Sequence, residues 1–119
     1  MIDYTFYSRF EGEPEIRFIA KKCNNECAIA LWEGYFDRIM SLIYPEPTGW
    51  TGIAYIYHMY IGWYDDEIWE LKDIRDAYHK FTSINIADLD EMSQKVLVII
   101  CAFLKLAIED GYKVFISRL

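Results

Sequence analysis

The chain has 119 residues, 19 acidic against 12 basic side chains, a formal charge of −7, and an aromatic set of ten Tyr, seven Phe and four Trp. That length gives a single domain, residues 1–119, which can bury a sufficient core without metal or disulfide staples. The negative charge argues against binding nucleic acid or an anionic membrane, both of which need a cationic footprint, and leaves a basic protein as the complementary partner.

Ile2 to Phe10 is rich in Tyr, Phe and Thr and is expected to be a strand. Glu11–Gly12–Glu13–Pro14 is a turn, and Glu15 to Ala20 alternates Ile16, Phe18 and Ala20 with Arg17 and Ile19 as a second strand. The two are expected to pair as an antiparallel hairpin. Asn24–Asn25 suits a helix N-cap. A helix then runs to about Tyr44, with Ile29, Trp32, Phe36, Ile39, Met40 and Ile43 as its buried stripe and Glu33, Asp37 and Arg38 facing out. Gly34 within it costs about 1 kcal/mol relative to Ala, so its presence points to close packing. Gly49 to Gly62 fits helix or strand by periodicity, and helix is the preferred reading. Asp73 caps a short helix over Ile74 to Phe81.

The stretch from Asp88 to Leu119 reads as the organising element. Leu89, Met92, Val96, Ile99, Ile100, Phe103, Leu104 and Ala107 follow helical spacing, and Val96 to Leu104 is unbroken apolar sequence. This predicts a central helix buried on most sides, with Asp88 and Glu91 as its capping pair and Gly111 as its left-handed stop. Tyr112, Val114 and Ile116 then alternate as a closing strand. The expected fold is α+β: a small antiparallel sheet, made of the N-terminal hairpin plus the C-terminal strand, packed with three or four helices. A mostly α fold is the alternative.

The chemistry-bearing residues form no constellation. Cys23, Cys27 and Cys101 make an odd, unframed set, which suggests reduced thiols and a cytoplasmic protein, with Cys101 as a core residue. Cys23 and Cys27 could pair only at some geometric cost if both are helical, and with His58 and His79 their gaps match no zinc module. The acidic stretch lacks the glycine and spacing of a calcium loop. No nucleophile–histidine pattern or phosphate-cradling glycine loop stands out. His58 is expected to be half-buried and hydrogen-bonded, and His79 exposed. No catalytic residue, cofactor or metal is assigned. The N-terminus carries no basic stretch followed by an apolar core, so no signal peptide is expected, and the apolar run 96–104 is too short for a bilayer.

The unusual segment is Trp63 to Glu70, WYDDEIWE. Between Trp63 and Glu91 nine carboxylates stand against three cations, so this quarter of the chain holds nearly all the net charge. Clustered carboxylates repel one another unless solvent or a partner offsets them. The candidate partner-binding residues are therefore Trp63, Tyr64 and Trp69 as aromatic anchors, with Asp65, Asp66, Glu67, Glu70, Asp73 and Asp76 as the charged surround.

In its size, its acidity and the run GWYDDEIWELKDIRDAYHKF at 62–81, leading to an acid-capped helix, a glycine and a strand, the chain resembles the small acidic immunity proteins of bacterial polymorphic toxin systems, those of contact-dependent growth inhibition in particular. The resemblance carries no catalytic signature. It implies a non-enzymatic inhibitor that binds the C-terminal domain of a cognate toxin, often a cationic nuclease, and occludes its active site. The alternatives are a small cytosolic hydrolase or transferase using one of the histidines, and a nucleic-acid mimic directed at another DNA-binding protein.

Overall fold

Five strands and four α-helices make a two-layer α+β structure in the computed structural model, which describes residues 1–119. The strands are β1 (Ile2–Phe6), β2 (Glu15–Lys22), β3 (Asn25–Trp32), β4 (Trp69–Leu71) and β5 (Lys113–Arg118). The helices are α1 (Glu33–Met40), α2 (Gly52–His58), α3 (Ile74–Thr82) and α4 (Glu91–Asp110), with short 3-10 turns at Gly62–Tyr64 and Ile86–Asp88. The sheet order is β1-β3-β2-β5-β4. Every pair is antiparallel except β1 with β3, which is parallel.

The N-terminal hairpin and the C-terminal strand are both present, but the hairpin is built from β2 and β3. Residues 25–32, expected as the first turns of a helix, are its second strand. The run Ala28–Ile29–Ala30–Leu31 is buried throughout, because β3 lies between β1 and β2 and its small alanines sit beside the larger Ile19 and Arg17. A strand buried on both faces loses the alternation that would identify it, and its residues merge with the genuine helical stripe that follows. Cys23 and Asn24 form the two-residue turn, with Lys22 paired to Asn25. Cys23 has φ +53°, the positive angle that tight hairpin turns require. Cys23 and Cys27 are therefore a turn and a strand residue, both exposed.

Strand β1 cannot reach β2 because residues 7–14 carry the chain across the end of β3. Phe10 stacks on Trp32, the last residue of β3, with ring centroids 4.2 Å apart, and meets Tyr35 edge-on at 5.6 Å. The same Trp32 explains Gly34: a Cβ there would collide with the indole ring.

The helices cover one face of the sheet. The registers Phe18↔Ile29, Phe18↔Ile116 and Ile116↔Trp69 place these side chains on that face. Phe18 is fully buried and meets Phe36, Phe81 and Phe103 edge-on, so it joins the sheet to three helices at once. Twenty-four buried residues form one hydrophobic core around it. The radius of gyration, 13.5 Å, is that of a single folded unit of this length.

Helix α4 starts two residues later than its sequence suggests. Asp90, not Asp88, is the N-cap: its carboxylate accepts from the Ser93 amide at 3.2 Å and from Ser93 Oγ at 2.6 Å. These bonds, the side-chain one foremost, hold the Asp90 carboxyl below the usual range. A serine able to bond back decides between the two aspartates. Gly111 stops the helix at φ +75°, as expected. The helix is not buried on most sides; Val98 and Leu106 are more than half exposed. No helix is long and apolar enough to cross a membrane.

The Phe18 junction sets a stability test. Phe18→Ala removes a fully buried ring, and the expected loss is about 3–5 kcal/mol by urea or guanidinium unfolding. A loss under ~1 kcal/mol would mean that the sheet and helices are not joined through this residue.

Candidate partner-binding surface

The acidic-aromatic segment begins where α2 ends. Tyr60, at φ +56°, takes the left-handed position usually given to glycine, and the Ile61 amide donates back to the Ile56 carbonyl. Gly62 follows at φ +66°, where a Cβ would press on Ile56 and on the Trp69 indole. The chain can therefore turn inward at once and drive Trp63 into the core.

Trp63 is 2% exposed, and this corrects its expected role as a surface anchor. It packs edge-on against Phe36 at 5.8 Å and against Trp69 at 5.4 Å. Its indole nitrogen has no acceptor in hydrogen-bonding geometry. An aromatic flanked by acids in the sequence gives no sign of which side chain turns inward; only the positive φ at Gly62 decides it. Tyr64 and Trp69 are half-buried, and Trp69 lies in β4 on the helical face of the sheet.

Asp65, Asp66, Glu67 and Ile68 are all exposed between Tyr64 and β4. Glu70 follows as a half-buried residue of the edge strand. None of these four carboxylates makes an ion pair, whereas Asp76 pairs with Lys80 at 2.6 Å and Glu91 with Lys95 at 3.8 Å. Asp73 is the α3 N-cap and accepts from the Asp76 amide at 3.0 Å. So the acids expected to act together divide into two groups. Asp73 and Asp76 are engaged within α3, as its cap and in its internal ion pair, and Asp65, Asp66, Glu67 and Glu70 remain uncompensated.

Beside this loop the structure adds residues that the sequence did not single out. Tyr60 is 71% exposed and lies 5.4 Å from the Tyr64 ring. Tyr55 on α2 and Met59 just past its end are exposed, and a groove of about 350 Å³ between α2 and β4 is lined by Tyr55, Trp69, Glu70 and Asp73 among others. Behind Tyr64, Tyr57 Oη donates to Asp37 at 2.9 Å, and Arg118 makes a two-pronged ion pair with Glu33 while its guanidinium lies over the Tyr64 ring. Glu33 and Asp37 thus face into this cluster and not outward. Their partners stand at 57, 64 and 118, too far along the chain for helical periodicity to reveal them.

Partial burial sets the electrostatics here. It raises the Asp37 carboxyl above its usual range; the Tyr57 hydroxyl opposes this, and the nearby Glu33 adds to it. Burial, the bond to Asp37 and its charge all push the Tyr57 phenol upward, so it stays a hydrogen-bond donor throughout the physiological range. Burial and then the Asp37 charge raise Tyr64 as well.

His58 is half-buried as expected, but its Nε2 has no hydrogen-bond partner; the ring instead stacks on Trp50 at 3.8 Å. His79 is exposed. Cys101 is half-buried, and burial raises its thiol pKa. No three His, Cys, Asp or Glu side chains converge as metal ligands would. Comparison with protein-family models, curated proteins and solved structures finds no match.

Two measurements follow from this geometry. A carboxyl with a raised folded-state pKa costs nothing when protonated in both states, and lowers stability as pH rises from the unfolded value, 3.8, through the folded one. Asp37→Asn keeps an acceptor for Tyr57 and removes the charge. Its stability relative to wild type should be flat below about pH 3.5 and rise as the pH climbs from the unfolded value through the raised folded one in unfolding curves; a fall over that range would reverse the sign assigned to Asp37. Separately, Tyr60→Gly should relieve the left-handed strain and stabilise the fold by about 0.5–1 kcal/mol. A drop in the unfolding midpoint would show instead that the Tyr60–Tyr64 contact outweighs the strain.

Proposed function

We propose that this protein is an immunity protein, which binds a cognate, basic nuclease toxin domain and blocks its active site without chemistry of its own. The observation that carries the reading is the Asp65–Glu67 loop: three exposed, unpaired carboxylates that directly follow Tyr64, whose ring meets the exposed ring of Tyr60. A nuclease cleft that holds phosphates presents cations to a ligand of this charge. Long-range attraction speeds the encounter, and desolvation of the flanking tyrosines slows release. Tyr60 and Tyr64 replace Trp63 as the anchors; Trp63 sits beneath them as the support.

The strain at Tyr60 favours the same surface. A bulky residue kept at a position where glycine is easier is a feature of sites where the side chain is needed. The acids lie on a short loop between a 3-10 turn and an edge strand, both fixed through Trp63 and Trp69, so little ordering entropy remains to be lost on binding.

The test co-expresses the chain, as wild type or as the triple variant Asp65→Asn, Asp66→Asn, Glu67→Gln, with a cognate toxin domain, to be sought as the C-terminal domain of a large secreted protein whose gene neighbours that of this chain. The three sites are exposed, so the stability should stay within about 0.5 kcal/mol of wild type. Association should slow on the order of tenfold at ~0.05 M ionic strength, the difference shrinking at ~0.5 M, with loss of protection in cells. Full protection and an unchanged on-rate at low salt would remove this loop from the interface.

A further inference from the structure

The outer face of α4 carries a pattern independent of the toxin-binding reading. Its exposed positions include Lys95, Val98, Ala102, Leu106 and Glu109. At 100° per residue these fall within one narrow stripe, and they are symmetric about Ala102. Val98 and Leu106 lie four residues to either side, and Lys95 and Glu109 seven. Val98 is 57% and Leu106 59% exposed, and with the exposed Ala102 between them they leave one apolar strip of the 20-residue helix open to solvent.

We infer that this stripe is the contact surface for a second copy of the chain, packed as an antiparallel pair of α4 helices about a two-fold axis through Ala102. In that arrangement a residue a given number of places before Ala102 faces the one the same number after it in the partner. Each Val98 then lies against the partner's Leu106, and the small Ala102 meets itself where the helices approach most closely. Each Lys95 faces the partner's Glu109, giving two opposite-charge pairs at the rim. Charge complementarity selects this occupant. Glu109 makes no ion pair within the chain, and Lys95 has only a long, exposed contact with Glu91. A parallel pairing would place lysine on lysine and glutamate on glutamate. The contact is one helix wide, so association on the order of micromolar to tens of micromolar is expected.

The test is sedimentation of the full chain from about 5 to 300 µM, with Lys95→Glu and Glu109→Lys variants alone and mixed. Wild type should pass from monomer to dimer. Each variant alone sets two like-charge pairs across the axis and should weaken dimerisation roughly tenfold. Mixed in equal amounts they should re-form a dimer. One chain then carries an acid at both positions and the other a base at both, so each site across the axis again joins opposite charges. Melting curves of the separate variants check that both fold. Ala102→Glu should abolish the dimer in every background. A wild type that stays monomeric at ~300 µM, a dimer insensitive to Ala102→Glu, or variants that fail to recover on mixing would each overturn the inference.

Discussion

The structure depends on a continuous series of aromatic contacts from the centre of the sheet to its acidic edge. Phe18 meets Phe36 at 5.9 Å, Phe36 meets Trp63 at 5.8 Å, and Trp63 meets Tyr64 at 5.7 Å, before Tyr64 reaches Tyr60 at 5.4 Å. The successive rings tie the sheet to α1 and α1 to the segment after α2. Edge-on and tilted aromatic contacts also fix orientation, which aliphatic packing does more weakly. The exposed carboxylates inherit their position from this series. Without Trp63 inserted below them, residues 65–68 would be an unsupported loop whose mutual repulsion favours an open chain.

Much of the fold can be read from residues that obey one rule at a time. Helix α4 and strand β5 are announced by Gly111, and α3 by Asp73, because a cap or a left-handed stop acts locally. The helix over 52–58 also matches its preferred reading. Strand β3 was hidden because burial on both faces erases its alternation and because α1 follows with no break in apolar sequence. The parallel placement of β1 was hidden for a different reason: it is set by Phe10 reaching Trp32, a contact between residues far apart in the chain. The cap of α4 turned on Ser93, a detail that the pattern of acids alone does not contain.

The candidate surface divides in the same way. Its charge was legible, since Asp65, Asp66 and Glu67 crowd together in the sequence and remain together and unpaired in the fold. Its aromatic half was not. Trp63 and Tyr64 are neighbours with similar preferences, and the positive φ at Gly62 sends one inward and leaves the other near the surface. Tyr60 and the Asp37–Tyr57 pair enter the site through tertiary contacts alone. Asp73 and Asp76 show the converse: two carboxylates that look like part of an acidic face are engaged in capping and pairing within α3.

The stripe on α4 and the acidic loop share no residue, so the proposed self-association and the proposed toxin binding can be tested separately. The central functional claim is that the tyrosines and acids at the end of the aromatic series are what a basic partner covers. The most direct measurement is amide hydrogen exchange along the chain, with and without a saturating amount of the proposed toxin partner. The account predicts slowed exchange concentrated in residues 59–70, with residues 95–109 unchanged at a fixed oligomeric state. Protection falling instead on the uncovered face of the sheet, with 59–70 exchanging as in the free protein, would contradict it.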